Sequence, residues 1–418
     1  MRHVFTGSVL WLMGCLTVQP AVVPVPESEQ AAPALKLIDA YHGARAAAPP
    51  KKLRVVYFTP GDREPVPKYE QRLEAILEDI RAFYRSEMER QGFGPKTFAL
   101  ERDAAGKLIL HVVKGKQNKT AYVESWKDRR RVIGGECLPA LEKAGISPDR
   151  ETVVYFCNLA DWDEQTGTLR HPSPFTGSST QQSGLCWLMD FPILDLDNLL
   201  KKEPLVKDTQ FGSVPLGKRN SMFIGSIAHE LGHAFGLPHN GRRWDEMASG
   251  LGASLMGMGN LTYHEERRGE GKGSSLTMAG ALRLAGRPLF NGSDKGMTLP
   301  PQLEQCDLVL STNVTRAKLA GRRATIRLEG NVKGSPAVYG IIAYFDSLHD
   351  GGYRAPAATS MPDAQGKFAI EVSDLAPCEK GGLRVAICHV NGGVSERRFG
   401  FSVTQDRRVE FTSQPARP

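Results

Sequence analysis

The chain has 418 residues, with 53 Lys and Arg against 46 Asp and Glu for a formal net charge of +7, and it is 41% apolar and 24% charged. That length implies two or three domains with room for a sizeable core, and the composition excludes a disordered or fibrous chain. The charge excess is mild for the size and does not call for a polyanion, so no nucleic-acid partner is expected.

Arg2 and His3 precede an apolar stretch from Val9 to Leu16, too short for a membrane span and suited to an export signal over residues 1–20. Leu12-Met13-Gly14-Cys15 resembles a lipobox, which implies a lipidated Cys15 and attachment to a membrane. The other reading is a plain secretory signal cut near Ala21. Residues 21–50 are rich in Pro, Ala and Val and are expected to form a tether or pro-segment.

From residue 51 to 299 strands and helices interleave, which predicts an α/β domain with a mixed or mostly parallel sheet. Leu53 to Phe58 reads as a first strand. Tyr69, Leu73, Ile76, Leu77, Ile80, Phe83, Tyr84 and Met88 repeat at helical spacing. Thr97 to Leu100 and Leu108 to Val113 suggest a hairpin, and Val123 to Leu141 a helix that Gly134 and Gly135 are placed to interrupt. Within it Lys127, Asp128, Arg129, Arg130 and Arg131 lack interleaved aromatics and read as a solvated face. Further strands are expected at Thr152 to Cys157 and Gly184 to Met189. Asp161, Asp163 and Glu164 read as acids facing water rather than a calcium site, and His171 and His264 have no ligand spacing.

The segment His229-Glu230-Leu231-Gly232-His233-Ala234-Phe235-Gly236-Leu237-Pro238-His239 carries the most chemistry. On a helix His229 and His233 project from one face, so both imidazoles reach one metal ion. Gly236 can adopt a left-handed conformation that ends the helix and returns His239 to the same ion. Three neutral nitrogen ligands with a fourth position for water describe a catalytic rather than a structural zinc. H-E-x-x-H alone arises by chance in about one chain in a hundred of this composition, and with the Gly and third His in a few in a hundred thousand. Ile224, Ile227, Ala228, Leu231 and Phe235 form the apolar stripe on the side opposite His229 and His233.

This string resembles the zinc signature of the metzincin metalloendopeptidases, and Ala253 to Gly259 resembles the methionine turn that lies beneath their metal. The resemblance implies Zn2+ held by His229, His233 and His239, Glu230 as general base, and Met256 as the turn methionine, with Met258 as the other choice. It also implies a Tyr two residues after the turn Met that stabilises the transition state. Met258 occupies that position here, and Tyr263 is the expected substitute. Asn240, after the third His, points to no subfamily. By position Gly184 to Met189 looks like the edge strand on which such enzymes align a peptide substrate. A bound zinc acidifies water and polarises a scissile carbonyl, and Glu230 is placed to move the proton.

Beyond Pro300 the stretches Ala324 to Leu328, Val338 to Phe345, Phe368 to Val372, Leu383 to Cys388 and Arg398 to Val403 alternate between turn clusters. Residues 300–418 are therefore expected to be a small all-β, immunoglobulin-like sandwich with no catalytic set, acting in adhesion, substrate capture or shielding. Apart from Cys15, six cysteines permit disulfides in an exported protein, and Cys378 with Cys388 is the expected pair. The reading is an exported zinc-dependent endopeptidase acting on protein or peptide substrates. Its alternative is a catalytically silent zinc-containing binding or adhesion protein working through the β domain.

Overall fold

The computed structural model describes residues 26–43, 51–125, 127–172, 175–208, 211–248, 250–317, 321–348 and 350–412. The expected export signal, with Cys15, lies outside them.

The described part of the Pro/Ala-rich segment is helical rather than a loose tether. Helix α1 (Ala31–His42) buries Ala31, Ala34 and Ile38 in the main core. Just before it Glu27 pairs with Arg243 at 2.7 Å, and Gln30 accepts from the Thr359 hydroxyl at 2.7 Å. Composition misled because alanine, which looks like linker, is also the strongest helix former once an Ile and a Leu have a core to enter.

Strand β1 (Lys52–Thr59) leads to α2 (Tyr69–Arg90), which buries Leu73, Ile76, Leu77, Ile80, Tyr84 and Met88 at the predicted spacing. The expected hairpin is built differently. β2 (Ala99–Leu100) and β3 (Leu110–Lys114) both run parallel to β1, while residues between them loop out through an Arg102–Leu108 bridge. Alternation reports half-burial but not the pairing partner. Helices α3 (Lys119–Glu124) and α4 (Arg129–Lys143) follow, and Gly134 and Gly135 leave α4 unbroken. A Cβ at Gly134 would sit in ordinary contact with the Trp187 ring, 3.5 Å away.

Next come β4 (Thr152–Cys157), β5 (Asp161–Asp163), β6 (Thr168–Arg170), β7 (Thr176–Ser179) and β8 (Gly184–Met189). The main sheet runs β2–β1–β4–β8–β7, parallel except for the last pair, with β3 also on β1. Every residue of β4 is buried, as expected of a parallel strand covered on both faces. β8 is thus interior, and the edge belongs to β7, which is antiparallel to it. Position in the sequence could not separate two strands five residues apart. Asp161 is an ion-pair partner of Arg63 and Lys119, which accounts for the acid without calcium.

A smaller sheet, β10–β9–β6–β5, adds β9 (Leu205–Asp208) and β10 (Gly212–Pro215). Helix α5 (Leu216–Ala234) then crosses beneath the main sheet's β7 side, followed by α6 (Trp244–Ala248), β11 (Ala253–Ser254), α7 (Glu265–Arg268), β12 (Ser274–Ser275), α8 (Met278–Ala285) and α9 (Pro288–Asn291). No helix among the described residues is long and apolar enough to cross a membrane.

The C-terminal region is all β. One antiparallel sheet is β13 (Gln302–Ala317), β14 (Gly321–Ser335) and later β17 (Lys367–Ser373). The other has β15 (Val338–Asp346), β16 (Ala357–Ser360), β18 (Cys378–His389), β19 (Val394–Val403) and β20 (Val409–Thr412), in the order β16–β15–β18–β19–β20. Ile326, Leu328 and Ile370 from the first sheet share a core with Ile341, Phe345, Val385 and Phe401 from the second. The opposite faces of β15 and β18 place Tyr339, Ile342, Tyr344, Ala386 and Cys388 in the main core. The β region is therefore welded to the α/β region through a strand pair buried on both sides. Cys378 and Cys388 do not pair, because they stand ten residues apart on one extended strand; all six described cysteines are thiols.

Candidate active site

Helix α5 ends as the glycine predicts. Gly236 takes φ +102°, its N–H donates to His233 O at 3.0 Å, and Leu237 N–H donates to Gly232 O at 2.9 Å. These two bonds make a Schellman cap, which reverses the chain within one turn. His229, His233 and His239 come together, with one nitrogen from each within 4.8 Å of the others.

Each imidazole is oriented by a backbone carbonyl. His229 Nδ1 bonds Leu255 O at 2.7 Å, His233 Nδ1 bonds Leu237 O at 2.8 Å, and His239 Nδ1 bonds Gly351 O at 2.8 Å. A carbonyl only accepts, so each Nδ1 carries the proton and each Nε2 presents a lone pair. His233 Nε2 and His239 Nε2 then face each other at 3.0 Å, two lone pairs in repulsion unless a cation lies between them. Burial pushes His229 down to about 3 and His233 to about 4, with the neighbouring imidazoles adding to the shift, and it also lowers His239. Neutral, converging and carbonyl-tethered imidazoles fit a divalent metal ion.

Glu230 is directed towards β7. The Gly177 N–H donates to its carboxylate, while burial pushes it up to about 7 despite that bond. Gly177 has no room for a side chain, because Glu230 O and His233 Cβ occupy the place a Cβ would take. The edge strand and the histidine helix touch at this residue. Met256 is buried under the same helix, its sulfur against Gly232 between the two histidines. Met258 is half exposed and lies outside this packing. Asn240 is buried, accepting from Ser254 Oγ at 3.1 Å and Thr277 Oγ1 at 3.0 Å while its N–H donates to Met256 O. It ties the third histidine to the Met256 turn.

Tyr263 is not at the site. It is buried on the far side of the turn, with its hydroxyl donating to Asp79 Oδ2 at 3.3 Å. The tyrosine at the histidines is Tyr353, from the loop between β15 and β16. Its ring stacks on His239 with centroids 3.8 Å apart and lies parallel to His229 at 6.0 Å. Sequence reading missed it because nothing local marks a tyrosine 114 positions after His239; only the glycines before it, Gly351 and Gly352, hinted at a shaped loop.

Tyr353 also lines a cavity of about 350 Å³ beside Ser226 and Met258, walled by Phe175, Phe211 and Phe223. His171 and Arg219 stand at its polar end. Arg219 is paired with buried Asp208, and His171 Nε2 lies 3.5 Å from the same carboxylate. His171, which had no motif spacing, thus reaches the neighbourhood of the site through folding. His264 does not; it pairs with Asp79 at 2.6 Å.

The fold and site define a class of architecture: a mixed sheet over a helix bearing converging histidines, fused to a two-sheet β region. No family model matches the sequence, and no curated protein matches it. Solved structures do. OgpA from Akkermansia muciniphila, in a catalytic inactive form in complex with an O-glycopeptide (glycodrosocin) substrate, is similar with a TM-score of 0.67 and 22% identity over 88% of this chain and 96% of that one. Wild type OgpA in two crystal forms gives a TM-score of 0.64 and 22% identity, covering 87% or 88% of this chain and 96% of that chain. The likeness spans both regions and establishes a shared fold.

Proposed function

We propose that the chain is a zinc-dependent endopeptidase of metzincin type. The observation that carries this reading is the combination of three carbonyl-tethered, neutral histidines with a half-buried glutamate on the helix that bears two of them. When bound, zinc supplies an acidic water and polarises the scissile carbonyl. Glu230 takes the water proton and passes it to the leaving amine, and the Gly177 N–H fixes the direction of its carboxylate. The β7 edge offers backbone groups for an extended peptide, which needs no deep pocket at every side chain. Tyr353, held against His239, takes the part first given to Tyr263 and donates to the charge that develops on the substrate oxygen. Met256 serves as the turn methionine.

The fold shared with a protein crystallised on an O-glycopeptide supports a peptide substrate and makes glycopeptides the first class to assay. The alternative, a silent protein with a structural metal, is less favoured: such sites are closed by four protein ligands, whereas three histidines cluster here among the described residues. Export, with or without lipidation at Cys15, remains part of the proposal.

The test compares zinc-loaded wild type with Glu230→Gln on peptide and O-glycopeptide libraries. The variant is expected to keep one zinc and lose about 10²- to 10⁴-fold in kcat/KM. Equal cleavage by both proteins overturns the reading.

A further inference from the structure

A second cavity, of about 560 Å³, opens beside the histidines. Pro238 and His239 form one wall, and Tyr344, Leu383, Arg384 and Arg398 of the β region form the other. Gly351 and Gly352, next to Tyr353, contribute to its rim, so the loop that bears Tyr353 separates this cavity from the aromatic one.

The β-region wall is a single cross-strand row. Tyr344 on β15 is in register with Arg384 on β18, and Arg384 with Arg398 on β19. Residues directly opposite project from the same face, so all three meet the cavity. Arg384 lies over the Tyr344 ring at 4.5 Å. Two arginines opposite each other repel, and such a pair destabilises a sheet unless an anion relieves it. Glu396 does so only in part: it is 3.2 Å from Arg398 and 3.9 Å from Arg384, outside hydrogen-bond range of the latter. Asp346 also lines the cavity. The Tyr344 hydroxyl is buried on the core side against the guanidinium of Arg283, which holds it there. Tyr344 is itself only 3% exposed.

We propose that this cavity is a substrate subsite for a carboxylate, gripped by Arg384 and Arg398. Guanidinium groups bind carboxylates through paired, charge-assisted hydrogen bonds. The proposal rests on the peptidase reading, because the cavity begins at His239 and the carboxylate belongs to the substrate. It commits to the chemical group; the group arrives either on an acidic side chain of the peptide or on an acidic sugar attached to it.

The experiment uses two sets of matched substrates: peptides differing only by Glu or Gln, and sialylated or desialylated O-glycopeptides. Zinc-loaded wild type is expected to favour the acidic member of one set by about tenfold in kcat/KM, chiefly through KM. The set that shows the preference identifies the source. In Arg384→Gln/Arg398→Gln the acid-to-neutral ratio falls to about one, with zinc content unchanged. Arg398→Gln alone, on a side chain 61% exposed, gives a partial fall and guards against misfolding of the double variant. Equal rates within both sets, or a preference that survives the double variant, overturns the subsite. Affinities of the same ligands for zinc-loaded Glu230→Gln separate the two readings. If wild type cleaves nothing while an Arg-dependent preference persists in binding, the peptidase reading fails and the subsite stands.

Discussion

The carbonyl of Gly351 accepts a hydrogen bond from Nδ1 of His239, 112 residues earlier in the chain, at 2.8 Å. The third imidazole of the cluster is thereby held in its tautomer by the β region, and the next residue but one in that loop, Tyr353, stacks on it. The C-terminal sheets, expected to serve adhesion, substrate capture or shielding, build part of the site.

A chain ending at residue 299 is expected neither to fold nor to hold zinc normally. It loses the Gly351 carbonyl and Tyr353, and it uncovers the core face that Tyr339, Ile342, Ala386 and Val390 complete. Each large side chain withdrawn from such a core forfeits about 1.5–3 kcal/mol. Soluble yield and zinc content by mass spectrometry check this; a soluble fragment with full-length zinc affinity refutes it.

Tyr353→Phe keeps the stack on His239 and removes only the hydroxyl. The expected result is a fall of about 10²-fold in kcat with zinc affinity unchanged, the size of effect seen when one donor to a developing oxyanion is lost. Tyr263→Phe is expected to leave kcat alone, since that hydroxyl is spent on Asp79. The reverse pattern in steady-state kinetics sinks the assignment.

The metal-free protein should gain stability as pH rises from about 4.5 to 6.5. Between those values three histidines take up protons on unfolding, because burial depresses them in the fold, to about 3 at His229 and about 4 at His233. Glu230, pushed up to about 7, runs the other way and releases one proton on unfolding. Near pH 5 the net uptake of about one to two protons gives a slope of about 1.4–2.7 kcal/mol per pH unit from this centre, which falls below about one proton's worth by pH 6.5. Urea melts of metal-free wild type and Glu230→Gln measure it; the variant should show the steeper rise, and a shallower one contradicts the sign.

Asp190 offers a test of the scaffold. It is fully buried, accepts from both guanidinium nitrogens of Arg72 at 3.0 Å and from Tyr57 at 2.8 Å, and links β8 to α2. Asp190→Ala leaves Arg72 buried without its partner and is expected to cost about 3–5 kcal/mol. Arg72→Met with Asp190→Leu should recover most of that. Denaturant midpoints decide, and a double variant no better than the single removes the pairing argument.

If Cys15 is acylated, labelled fatty acid will enter the full-length protein in cells and Cys15→Ser will abolish the label. Absence of label in wild type leaves the plain secretory signal.

Local chemistry was legible in the sequence wherever one element supplied the whole pattern. The i, i+4 spacing of His229 and His233, the left-handed Gly236 and the stripe of α2 each follow from backbone geometry within a few residues, so the order of letters was enough. The same holds for the strands of the β region, whose alternation marks them singly. Pairing was not legible. That β7 rather than β8 is the edge, that β2 and β3 both line β1, and that β15 is buried on two faces depend on which elements meet, and a strand's own pattern is the same for several partners. Nor did spacing reveal His171, Tyr353 or the row Tyr344–Arg384–Arg398, which long-range packing carries to the histidines from distant elements. Sequence alone therefore determined the cluster of three histidines that can hold a metal, because ligand spacing is local; the tertiary structure decided which tyrosine, which edge and which cavities surround it, because those contacts close loops of tens to more than a hundred residues.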